Sequence, residues 1–160
     1  MIIKLTKISR TQHSFEYVRD DKSGEKLELD TKTFLFHDLL HFAVEMEAGL
    51  GNSFYGMLAS GKKYAELAPD KETKAYPVFV GEVAVTERVV GPLSGVVKGD
   101  VMQADFMAGI KNIFEAYNER IPFWLTDDFV TRVRDKMRQL LGEWNSLPVG
   151  KTMELKFDLL

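Results

Sequence analysis

The sequence predicts an α+β fold in which a small antiparallel sheet packs against about five helices. Three observations carry this expectation: apolar residues alternate with polar ones through the first thirty positions, alternate again at the C-terminus, and recur with helical spacing between. Ile3 and Leu5 alternate with Lys4 and Thr6, Phe15 and Tyr17 flank Glu16, and Leu27 and Leu29 flank Glu28. Asp20-Asp21-Lys22-Ser23-Gly24 reads as a hairpin turn, with Gly24 expected to supply the positive φ that such turns use. An N-terminal meander follows. At the other end Met153, Leu155, Phe157 and Leu159 oppose Glu154, Lys156 and Asp158, a strand expected to join the same sheet.

The middle of the chain is helical. A first helix is expected over 36–47, stopped by Gly49 and Gly51, and a short second one over 52–60, ending at Gly61. Residues 62–76, rich in Lys, Asp and Glu around Pro69, read as a mobile surface loop. Pro77 opens a valine-rich stretch read as a helix over 78–90 and broken by Gly91-Pro92. Another helix is expected over 101–118. The last begins after Thr126, an N-cap followed by Asp127 and Asp128, with Leu125 and Val130 placed for a hydrophobic staple. Phe123 and Trp124 just before it are expected in the core or staple, with a homodimer contact as the alternative.

Length and composition bound the function. At 160 residues the chain reads as a single domain spanning 1–160, large enough to bury about two-thirds of its unfolded surface. A net charge of −3 lacks the basic excess of a nucleic-acid binder, so no nucleic-acid partner is expected. Zero cysteines exclude disulfides, thiolate metal sites and cysteine nucleophiles. The start of the chain has no long apolar run or small-residue cleavage site, and no stretch approaches the ~20 apolar residues of a membrane span. The expectation is a cytoplasmic protein with no membrane partner, its small-molecule or protein partner undefined.

One segment suggests chemistry. His37-Asp38-Leu39-Leu40-His41 places two of the three histidines four residues apart, on one face of the first helix, with Glu45 a further turn on. Leu39, Leu40, Phe42, Ala43, Val44 and Met46 cover more than half of that helix. His37, Asp38, His41 and Glu45 share the remaining stripe, which carries no Lys or Arg and is expected to line a cleft. His37, near the expected helix N-terminus, sits where the dipole disfavours its protonated form.

Histidines at i and i+4 can bind one transition metal, zinc in the first instance, while iron, manganese or nickel also suit two histidines plus carboxylates. The pattern is similar to the zincin H-E-x-x-H, but Asp38 stands one methylene short of that motif's base. Glu45 lies about 12 Å along the helix from His37 and cannot easily share their metal. A third ligand must come from elsewhere, with Glu82, Glu87 and Asp105 as candidates and His13, in an expected turn, as a distant one. Asp38 and Glu45 are then the candidate catalytic residues, as base or as orienter of a ligand. Two other readings stay open: a hydrogen-bonded structural stripe in a non-catalytic binding module, and metal-free acid–base use of His41 with Glu45.

The runs Phe36-His37-Asp38-Leu39-Leu40-His41-Phe42-Ala43-Val44-Glu45, Thr86-Glu87-Arg88-Val89-Val90-Gly91-Pro92-Leu93 and Leu140-Leu141-Gly142-Glu143-Trp144-Asn145-Ser146-Leu147-Pro148 resemble those of a family of small bacterial proteins sharing an H-D-L-x-H-F helix motif. The resemblance implies a bacterial cytoplasmic setting and no particular activity.

Overall fold

Alternating residues become a sheet because one face of each strand can then be buried against helices. In the computed structural model, which describes residues 1–68 and 77–158, strands β1 (Ile2–Lys7), β2 (Gln12–Val18), β3 (Gly24–Asp30) and β4 (Thr152–Lys156) form one antiparallel sheet in the order β3-β2-β1-β4. The C-terminal strand pairs with β1, setting Leu5 against Met153 and Ile3 against Leu155. Ile3, Leu5, Phe15, Tyr17, Met153 and Leu155 are all buried on the inner face. The outer face carries exposed cross-strand pairs, Lys4 with Glu154 and Lys26 with Glu16. Leu159 lies outside the described residues.

The hairpin between β2 and β3 corrects one expectation. Lys22, not Gly24, takes the left-handed conformation, at φ 70°. Gly24 is required for a different reason: it faces Val18 across the ladder, and a Cβ there would sit 1.9 Å from the Tyr17 carbonyl oxygen.

The helices are α1 (Phe36–Ala48), α2 (Phe54–Ala59), α3 (Tyr64–Leu67), α4 (Gly81–Lys98), α5 (Gln103–Ala116) and α6 (Asp127–Ser146). Helix α1 is central, buried continuously from Asp38 to Glu45 and packed between α4 and α6. It is preceded by a turn of π-helix, Thr31–Leu35, whose N-cap Asp30 accepts a hydrogen bond from the Thr33 backbone N–H. Helical winding therefore begins about two turns before His41, and His37 does not sit at a free helix N-terminus as its sequence position implied.

Two further boundaries differ from expectation. Of the stretch read as a loop, 69–76 lies outside the described residues, while Tyr64–Leu67 forms a helical turn with Tyr64 and Leu67 buried. Tyr64 is held by its ring, 5.5 Å from that of Phe15, and by its N–H, which donates to Glu25. Helix α4 starts at Gly81 and runs through Gly91-Pro92 to Lys98. Proline in a helix costs about 3 kcal/mol and removes one hydrogen bond, but Leu93 and Val96 beyond it are buried, each contributing about 1.5–3 kcal/mol. Burial wins.

Helix α6 begins as its sequence indicates, Thr126 Oγ1 accepting from the Phe129 N–H at 3.2 Å. Trp124 packs its ring on Phe129, whereas Phe123 stands 93% exposed rather than in the core. Among the described residues no helix is long and apolar enough to cross a membrane.

Between α1 and α2 the chain doubles back tightly. A Cβ at Gly56 would lie 2.1 Å from the Gly51 carbonyl oxygen, a backbone atom with no room to yield. Gly56→Ala is expected to destabilise by about 2–3 kcal/mol, as other overpacked sites do. For a domain of this size that lowers the thermal midpoint by roughly 5–10 °C; an unchanged midpoint would show that the backbone relaxes freely.

Candidate metal centre

Position i, i+4 on α1 brings His37 and His41 together, their ring centroids 4.6 Å apart. The packing of α4 on α1 supplies the third group. His41 Nε2 lies 3.3 Å from Glu87 Oε1, and ligand atoms of His37, His41 and Glu87 all fall within 4.8 Å of one another. His41 is 2% exposed in its side chain, Glu87 30% and His37 43%, so the group is sealed on the His41 side and open on the other two. The ring of Phe54 walls the buried side, 5.8 Å from that of His41.

Glu45 is not in this group, as the helix rise required. It stands behind it. Glu45 Oε1 lies 3.3 Å from His41 Nδ1, and Oε2 accepts from the backbone N–H groups of Tyr55 at 2.9 Å and Gly56 at 3.4 Å. A fully buried carboxylate, anchored by the backbone of α2, thus holds the far nitrogen of a buried imidazole. With Nδ1–H donating to Glu45, the lone pair of neutral His41 is on Nε2 and faces the other two groups. Nε2 is close to Glu87 but not aligned for a hydrogen bond, and among the described residues it has no other hydrogen-bond partner.

The electrostatics match this geometry. Burial opposes a charge on His41, yet its hydrogen bond to Glu45 and the negative charges of Glu45 and Glu87 outweigh it and hold the imidazole up to about 9. Burial also pushes Glu45 above the usual carboxylate range, against its hydrogen bonds with His41, Tyr55 and Gly56. Glu87 is also partly desolvated, but the histidines beside it bring it below that range. Without a metal, then, His41 carries a proton between two carboxylates. A cation at the centre of the group would replace that proton.

Asp38 is buried and turned elsewhere. Its Oδ1 is 3.9 Å from His37 Nδ1, beyond hydrogen bonding, its Oδ2 has no hydrogen-bond partner among the described residues, and its charge acts on His13 and Tyr55. His13 is in β2 rather than a turn, fully buried, with Nδ1 3.2 Å from Thr31 Oγ1, and does not approach the group. Burial holds it below the usual histidine range despite Asp38 and Asp30.

Glu82 accepts from the Asn52 backbone N–H, and neither it nor Asp105 joins the histidines. Glu87 was legible as a carboxylate on the apolar stripe of α4, four residues after Val83 and three before Val90. Arg88, its neighbour, pairs instead with Glu119 and stacks on Tyr117. The tether from Glu45 to Tyr55 and Gly56 had no sequence signal, because backbone donors look alike in every sequence.

Compared with protein-family models, with curated proteins and with solved structures, the chain matches none.

Proposed function

We propose that this protein binds one transition-metal ion, zinc first, through His37, His41 and Glu87, and uses it for metal-assisted hydrolysis or hydration of a small molecule. The carrying observation is His41: a buried imidazole with Nδ1 held by a carboxylate and an unbonded Nε2 facing a second histidine and a second carboxylate. Two histidines and one carboxylate are a ligand set used by catalytic zinc, which keeps a further position for water, lowers the pKa of that water to about 7 and polarises carbonyl groups. His37 and Glu87, partly exposed, leave the approach open; His41, Glu45 and Phe54 close the back. Glu45 acts as the positioning residue that fixes the His41 tautomer. Asp38, close to His37 but outside hydrogen-bond range, is the weaker candidate for a catalytic role. A bacterial cytoplasmic setting is proposed on the resemblance of 36–45, 86–93 and 140–148 to small bacterial proteins.

Metal analysis of the purified protein, with thermal melts before and after chelation, tests this reading. A metal held at a hundredfold over its Kd stabilises by about 2.7 kcal/mol, or roughly 5–10 °C for this size. The competing reading is a structural stripe in a binding module. It is favoured by the fact that His41, protonated between Glu45 and Glu87, already gives both carboxylates a cationic neighbour without an ion. No bound metal, together with a melt unmoved by zinc, would overturn the metal reading.

Protons and metal compete for His41, which fixes the sign of a pH dependence. With the ring protonated up to about 9, metal uptake releases one proton. Zinc affinity is expected to fall about tenfold per pH unit below that value. Competition titrations with a chelator between pH 6.5 and 8 should show this slope; a flat profile there means that His41 is not the ligand.

A further inference from the structure

Helices α1 and α4 run antiparallel, His41 meeting Glu87 at one level while His37 and Leu40 meet Val90 and Gly91 at the next. Beyond the metal-binding group, away from buried His41, the two helices part into a cleft of about 230 Å³ that His37 also lines. That volume suits a small molecule rather than a single water. Its walls are apolar, from Phe36, Leu40 and Val90, but its rim carries Lys32 and Lys98 with the hydroxyl residues Thr33 and Ser94.

Among the described residues no carboxylate lines it. The ion-paired lysines among the described residues are Lys4, Lys26, Lys62, Lys111 and Lys156, so neither rim lysine is engaged in an ion pair. Lys98 Nζ lies 4.7 Å from the centre of the Phe36 ring, which fixes its ammonium over this cleft. In a chain of net charge −3, both lysines line this small cavity; Asp30, outside the lining, accepts from the Thr33 hydroxyl and partly offsets Lys32, so Lys98 carries most of the local positive charge.

We propose that this cleft binds the anionic group, a carboxylate or a phosphate, of a small substrate whose reactive end lies at His37, His41 and Glu87. Only the reactive end rests on the metal reading; the anion site stands on its own residues. Along α4 the rise from Glu87 to Ser94 is about 10 Å, so the anion and the reacting group belong to opposite ends of one short molecule. The apolar walls between them accept its carbon chain. Lysine, a flexible point charge with three donors, suits either anion.

Titrations of inorganic phosphate, butyrate and uncharged butyramide into metal-free and zinc-loaded protein, followed by calorimetry and amide chemical shifts, test the proposal. Butyrate or phosphate is expected to bind at least tenfold more tightly than butyramide, and the preferred anion identifies the substrate class. Lys32→Met combined with Lys98→Met should weaken the anion at least tenfold while leaving zinc uptake unchanged, and Lys98→Arg should retain it. Lys98 also borders a second cleft with Arg134 and Arg138, so Arg138→Met should have no effect.

The proposal is overturned if neither anion binds, if butyramide binds equally well, if Arg138→Met removes binding, or if binding needs zinc and ignores both lysines. Lysine-dependent anion binding by a protein that takes up no zinc would uphold this site and overturn the metal reading alone.

Discussion

Alanine at position 41 is expected to abolish metal binding and to cost the metal-free protein about 3–5 kcal/mol near neutral pH, the range for removing one partner of a buried ion pair. His41 stands between Glu45 and Glu87, and without it the fully buried Glu45 carboxylate loses the cation it pairs with. The thermal midpoint should fall by at least roughly 6 °C at 2–4 °C per kcal/mol. The loss depends on pH with a definite sign. The folded pKa of about 9 lies above the ordinary 6.5, so the contribution of His41 is complete below 6.5 and disappears as pH rises through 9. The gap between wild type and His41→Ala should therefore narrow over that window. A gap that widens instead would mean that the ring is neutral in the metal-free fold.

Glu45 separates the positioning of the ring from the stability of the fold. Glu45→Ala leaves the Tyr55 and Gly56 N–H groups and His41 Nδ1 without their acceptor, and is expected to destabilise by about 3–5 kcal/mol. Glu45→Gln keeps an oxygen for Tyr55 and presents an amide N–H₂ to Nδ1. The ring must then carry its hydrogen on Nε2, the atom that faces Glu87 and His37. Zinc affinity should drop 10–100-fold, the usual effect of losing an outer-shell partner, while the melting point moves by only a few degrees. Wild-type affinity in Glu45→Gln would show that the carboxylate does not set the tautomer.

Much of the fold could be read from local pattern. The meander, the C-terminal strand, the Thr126 cap and the central place of α1 follow from which residues alternate and which recur each turn. The failures were local rules overridden by burial. Pro92 did not end α4 because Leu93 and Val96 gain more from the core than the proline costs. Tyr64 and Leu67 pulled a charged stretch into a helical turn. Phe123, apolar and beside a cap, was left in solvent because Trp124 already occupies the place against Phe129.

For the site, spacing alone put His37 and His41 on one face, and the 1.5 Å rise per residue alone kept Glu45 from their shared point. Glu87 remained one carboxylate among several, and Lys32 and Lys98 were ordinary surface charges. Their placement beside His37 and His41 arises from the antiparallel packing of α4 on α1 and the turn before it, which sets residues about fifty positions apart at one level. Periodicity along a chain reports which face is buried, because each residue's neighbours on its own helix follow from backbone geometry. Which other helix meets that face depends on the shapes of the whole core, and no single segment carries that information.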